Sequence, residues 1–237
     1  NAAERVRAAA LAMQSTQDLP KVAGVLKQQL DELINPDGQL TVTYLDRETG
    51  ECVGLRTLPN PRAVGLEWTS AGVHEIDEHL VANMQTITEG EDPDNVIARV
   101  RALWASGQPL TSERDVSEEG WQRFRDDHCS RMGIAPEDAR RVGYQLTEWK
   151  HLHTTRVPFS SGMVGYFLEH ADDRLIPVLQ ELTDALDLGF VRFLDFKRLE
   201  EQNRQQAIEN AAERVRAAAL AMQSTHDLPK VAGVLKQ

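Results

Sequence analysis

Residues 1–28 read NAAERVRAAALAMQSTQDLPKVAGVLKQ, and residues 210–237 read NAAERVRAAALAMQSTHDLPKVAGVLKQ. The two stretches differ only at Gln17 against His226, so 27 of 28 positions repeat at a period of 209. Chance does not produce this. The reading is a domain repeated almost unchanged in tandem, with one full period and the start of the next in this chain. A natural gene duplication and an engineered one both remain open. Either way, the segment that opens one unit closes it as well.

The shared segment has helical spacing. In its second copy Ile208, Ala211, Val215, Ala218 and Met222 recur at intervals of 3, 4, 3 and 4, the pattern of a coiled-coil seam. Upstream, Leu186, Phe190, Phe193, Phe196 and Leu199 continue a similar stripe. One helix is therefore expected from about Leu175 to Met222, with Gly189 marking a kink or an end. The stretch KRLEEQNRQQ, residues 197–206, is polar all round, so no globular core holds it. Two readings stand. One is an exposed terminal helix. The other is a parallel coiled-coil linker that makes a homodimer, with Val6 of the first copy equivalent to Val215 of the second.

Outward from the repeat, Ser15-Thr16 breaks the first helix, and Asp18 with Pro20 starts a second. Leu19, Val22, Leu26, Leu30 and Leu33 give it a buried face, and Asn35-Pro36-Asp37-Gly38 ends it. Gln39 to Leu45 alternates as a strand. A loop at 46–50 follows, and Cys52 to Leu58 returns. Val64 to Thr69 reads as a third strand and His74 to Asp77 as a fourth. Residues 78–87 suit helix or strand. Asp94 and Ser117 open two further helices, with a short strand at Pro109-Leu110-Thr111 between them. Leu146 to Phe159 and Met163 to Leu168 pair around Ser160-Ser161-Gly162. The fold class is α+β, an antiparallel sheet with helices packed on one face.

Composition limits the function. The chain has 26 Lys plus Arg against 37 Asp plus Glu, for a net charge of -11, which disfavours a nucleic-acid partner. No apolar run is long enough to span a bilayer, so no membrane insertion is expected in this segment. Two cysteines, Cys52 and Cys129, make no disulfide framework and point to a cytoplasmic setting.

Motif searches lead away from catalysis. His74 and His79 stand five apart, which places the two rings on different sides of a helix or a strand. Trp149, His151 and His153 alternate and would share one strand face, where two imidazoles could hold an anion, a haem or a metal. They are the candidate ligand residues, with Tyr166 and Phe167 on the partner strand. His128-Cys129 reverses the order used for bilin attachment, and a buried apolar Cys129 is the simpler reading. There is no Walker A loop, no GxGxxG and no nucleophile elbow. No enzyme activity is expected, and no cofactor can be named.

ERVRAAALAMQST, DLPKVAGVLKQQL, the pair TVTYLDRETGE and ECVGL, VPFSSGMVGYF, and the closing GFVRFLDFKRLEEQNRQQAIENAAERVR together resemble a GAF-type sensory domain. The resemblance covers roughly 150 residues. It is closest to repeats found upstream of output modules in sensor histidine kinases and nucleotide cyclases. It implies a GAF-like, six-stranded antiparallel sheet flanked by long N- and C-terminal helices, a dimer through those helices, and a ligand pocket on the sheet. Residues 78–143 depart from the compact pattern, and the motif of the cyclic-nucleotide binders is missing. The resulting division is a linker helix at 1–17, a GAF-like domain at 18–186, a coiled-coil linker at 187–225 and the start of the next repeat at 226–237. The expected role is a signal-relay module that passes helix movement to the neighbouring repeat and output domain, with a small-molecule ligand as a further partner. A ligand-free structural spacer is the alternative; a polar pocket of about 300 Å³ or more favours sensing over spacing.

Overall fold

The computed structural model describes residues 1–45, 52–87, 96–139, 141–142 and 149–220. The chain divides into two compact units, Asn1–Val191 and Arg192–Gln237.

The first unit begins with helix α1, Ala2–Leu11, capped by the Asn1 side chain on the Ala3 amide. Its stripe of Ala3, Val6 and Ala10 is buried. Helix α2, Leu19–Leu33, starts with Pro20 in its first turn. Asp18 stands at its N-cap, but the carboxylate turns back and accepts from the amides of Gln14 and Ser15, at 3.1 Å each. These hydrogen bonds hold Asp18 below the usual carboxylate range, and Lys21 adds to the effect. Leu19, Val22, Leu26 and Leu30 are buried as the spacing predicts, whereas Leu33 in the last turn is exposed.

Strands β1 (Gln39–Leu45), β2 (Cys52–Pro59), β3 (Val73–Glu75), β4 (Leu80–Ile87), β5 (Leu110–Asp115), β6 (His151–Phe159) and β7 (Gly162–Leu168) form one sheet. Among the described residues the order is β3-β4-β2-β1-β7-β6-β5, and every pairing is antiparallel. The sheet thus has seven strands where six were expected. The β6–β7 hairpin closes between Phe159 and Gly162 as the sequence predicts. Residues 78–87 resolve to strand β4. The expected strand at Val64–Thr69 is absent. Instead Asn60 caps a short 3-10 turn, Pro61–Val64, and Gly65 ends it in the left-handed region. A proline at the first helical position supplies the turn's φ and lacks a donor for a sheet. The loop at 46–50 and the Asp94 cap lie outside the described residues.

Helices cover both faces of this sheet, not one. Even-numbered residues of β1 meet the first layer: Tyr44 packs on Phe190 of helix α5 (Leu175–Leu220) at 5.0 Å between ring centroids. Phe159 of β6 packs on the same ring at 5.6 Å. Helix α2 lies against β1, β2 and β4. On the opposite face, helix α3 (Val96–Ser106) buries Ile97, Val100 and Leu103 against Leu45, Cys52 and Met163. Helix α4 (Glu118–Met132) is capped by Ser117 and buries Cys129 and Met132 against Leu58 and Val81.

Helix α5 passes through Gly189 without a break and runs to Leu220. In the second unit, every residue from 195 to 210 is exposed, including Phe196, Leu199 and Ile208. No helix among the described residues is long and apolar enough to cross a membrane.

Candidate functional site

The face of the sheet under α3 and α4 holds a cavity of about 410 Å³. Its floor follows from strand register. Asn83 pairs with Arg56, Arg56 with Thr41, Thr41 with Gly165, and Gly165 with Arg156, so these five residues form one row across β4, β2, β1, β7 and β6. Partners in one row share a face. Gly54 and Thr43 stand in the next row on the same face, paired with each other. Gly54 and Gly165 keep the floor low between the two arginines. A Cβ at Gly54 would meet nothing within 4 Å, and one at Gly165 would come within 2.6 Å of Thr41 Oγ1.

Five arginines line this space: Arg56, Arg99, Arg114, Arg131 and Arg156. Arg56 and Arg156 are half-buried on the floor, while Arg99 of α3, Arg114 of β5 and Arg131 of α4 stand exposed at the rim. Phe167 lies 5.8 Å from the Arg56 guanidinium and 6.0 Å from that of Arg156, and Phe124 lies 5.1 Å from Arg56. These aromatic faces fix the planes of both guanidinium groups. Asp127 is the acid that lines the cavity, and it pairs with Arg131 at 2.9 Å. Among the described residues no carboxylate forms an ion pair with Arg99, Arg114 or Arg156. Burial lowers the Arg156 pKa from its usual value, and the charges of Arg99 and Arg114 lower it further. The site is therefore a cluster of cations that repel one another inside a chain whose net charge is -11. Thr41, Thr43, Asn83, Gln85 and Thr154 add neutral polar groups.

A larger cavity, about 700 Å³, lies beside α2 and the β3–β4 turn. Its two lysines are already paired, Lys21 with Asp18 and Lys27 with Asp31. Lys27, almost fully buried, bonds to Asp31 and to the Pro36 carbonyl. Tyr166 donates to the Asn35 carbonyl at 2.7 Å. Burial raises Asp31 above the usual carboxylate range despite Lys27, and burial together with Asp31 raises Tyr166. We place the candidate site at the smaller cavity, because its lining carries an excess of positive charge, five arginines against one aspartate.

The sequence candidates divide between the two faces. Phe167 lines the arginine cavity. Trp149 precedes β6 and does not share its alternation. It packs with Trp121 and Leu152 next to the cavity, and its carbonyl accepts from Trp121 Nε1. His151 and His153 point to the opposite side of β6 from Arg156. They lie 2.6 Å from Asp115 and 3.0 Å from Glu113, their register partners on β5. Tyr166 is fully buried on the α2 side. His151, His153 and Tyr166 share one face of the sheet as the alternation predicts, with Tyr166 opposite Thr155, while Phe167 stands opposite Thr154 on the cavity face with Leu152 and Arg156. A charged residue inside a strand, as at Arg56 and Arg156, is the signal in the sequence that marks the cavity face. Among the described residues no group of three or more His, Cys, Asp and Glu could hold a metal ion.

The seam candidates also separate. Val6 is buried within the chain, so it is closed to a second chain, while its equivalent Val215 is half-exposed. Ile208 is exposed and Ala211 half-buried; the side chain of Ala218 and all of Met222 lie outside the described residues. No protein-family model matches this chain, and no curated protein matches it.

Proposed function

We propose that this chain is a non-catalytic sensory and signal-relay module of GAF-like type, and that it holds a small anionic ligand in the arginine cavity. The observation that carries the reading is the charge imbalance: five arginines and one aspartate line the hollow. Such a site binds phosphate or carboxylate groups through paired N–H donors, with the phenylalanines packing against an apolar or planar part of the ligand. The cavity volume and polar lining favour sensing over a ligand-free spacer.

The relay runs through the sheet. Thr43 faces the cavity and its neighbour Tyr44 touches Phe190 of α5. Arg156 faces the cavity, and Phe159, three residues on in β6, touches the same Phe190. A ligand that draws the arginines together biases the pleat of β1 and β6, and hence the position of α5. The helix continues to Leu220, toward a neighbouring repeat or output domain. A parallel homodimer through the distal half of α5 belongs to this reading. The exposed Phe196 and Leu199 support it, because neighbouring apolar side chains on an exposed helix gain burial from a second helix.

Native mass spectrometry of the full chain tests the proposal. It should show a dimer carrying a small anion, and Gly54→Trp, which fills the hollow, should lose that added mass. A ligand mass retained unchanged in Gly54→Trp contradicts the assignment of the cavity.

A further inference from the structure

One sequence occurs twice in this molecule, in different surroundings. In the first copy, α1 lies against α2, and Arg5 pairs with Glu32 of α2 at 3.1 Å. Ala3, Val6, Ala10 and Met13 are buried. Gly189 of α5 lets the α1 backbone approach: a Cβ there would stand 2.4 Å from the Ala10 Cβ and 2.9 Å from its carbonyl carbon. The seat is thus cut to fit this helix. In the second copy, Ala212 is exposed and Val215 is half-exposed. These residues correspond to the buried Ala3 and Val6, so a face built to be buried stands open. The start of the helix differs too. Asn1 caps α1, whereas its equivalent Asn210 lies inside α5. No Gly or Pro interrupts residues 190–220, so the closing helix of one unit becomes the opening helix of another.

We infer that residues 210–220 are the docking helix for a second copy of this domain, where they take the seat that α1 takes here, against that copy's α2 and over its Gly189. The occupant of the open face is specified by identity of sequence: same stripe, same spacing, same arginine for the same glutamate. The inference also limits the coiled coil. Val215 faces either the seat or a parallel partner helix, and in the seat it is buried. A seam then rests on Phe196 and Leu199, and ends before Val215. Two units joined this way share one continuous helix, packed at one end on each body.

A labelled peptide of residues 206–224 tests the seat on the full chain. In the wild-type chain α1 occupies the seat at a high effective concentration and the peptide competes poorly. In a full chain carrying Val6→Asp and Val215→Asp, α1 is weakened and the chain's own second copy is disabled. The peptide should bind this chain at least about tenfold more tightly than wild type. Val215→Asp in the peptide, or Gly189→Leu added to the chain, should abolish binding. Equal binding to wild type and variant would show a peptide pairing with an exposed helix, and would overturn the inference. So would no binding to the folded variant. If the variant is unfolded by circular dichroism, the inference requires the peptide to restore its helicity and melting transition; failure to do so overturns it.

Discussion

Arg156 sits in the middle of β6 between Thr155 and Val157, where an apolar side chain would cost nothing. Its lowered pKa, from burial and from Arg99 and Arg114, means that the unliganded site works against folding. Arg156→Gln should therefore melt no lower than wild type in low-salt buffer by scanning calorimetry. A large drop would mean that Arg156 is structural. Asp18 makes the opposite case. Its folded pKa lies below the ordinary 3.8, because the Gln14 and Ser15 amides bond to the ionised carboxylate. That contribution is present above pH 3.8 and is lost as pH falls through the lower folded value. Asp18→Asn should lower the melting temperature at pH 6, and the gap to wild type should close at the acid end of the titration; a gap that does not change with pH would show that the carboxylate's charge is not involved. At this scale the sequence was legible where side chains act locally, as at Ser117 and Pro20. It stops short at His151 and His153, whose alternation is plain but whose acidic partners on β5 are not. Those partners sit about forty residues away, and no local pattern reveals that register.

Helix α5 and the strands β1, β2, β6 and β7 are readable from the spacing of apolar residues, whereas residues 78–87 suit helix or strand equally and only the pairing with β2 makes them β4. Both hairpins and the continuous α5 follow from that spacing. The Val64–Thr69 segment was not readable, since its pattern is apolar enough for a strand but Asn60 and Pro61 had already set a turn. Helices on both sheet faces were missed for a related reason. The face of β1 toward α3 carries Thr41 and Thr43, which read as solvent-facing but floor a covered cavity. Gly189 looked like a helix break, yet it marks a helix crossing. Intrinsic propensity says that Gly189→Ala in mid-helix should stabilise by about 1 kcal/mol. The 2.4 Å approach to Ala10 says otherwise. We expect a net loss of about 1–3 kcal/mol from overpacking, seen as a lower urea midpoint. A gain would show that α1 is not seated on α5 at that point.

The whole molecule sets a cationic hollow in an acidic chain, and that contrast organises the account. On the proposed reading, the excess acid disfavours phosphate polymers and the hollow takes a small anion. The exposed distal half of α5 provides the first prediction at this scale. Wild type should sediment as a dimer at tens of micromolar, and Phe196→Glu with Leu199→Glu should give a monomer; an unchanged dimer would place the contact elsewhere. The acidic composition was plain in the sequence, but the gathering of five arginines from β2, α3, β5, α4 and β6 was not, because it exists only once the strands are in register. The most direct measurement is calorimetric titration of the full chain with pyrophosphate against chloride at equal ionic strength. The account predicts saturable binding of pyrophosphate, weakened roughly ten- to hundredfold by Arg156→Gln through loss of a charge-assisted hydrogen bond. No heat beyond chloride, or equal affinity in the two chains, would contradict it.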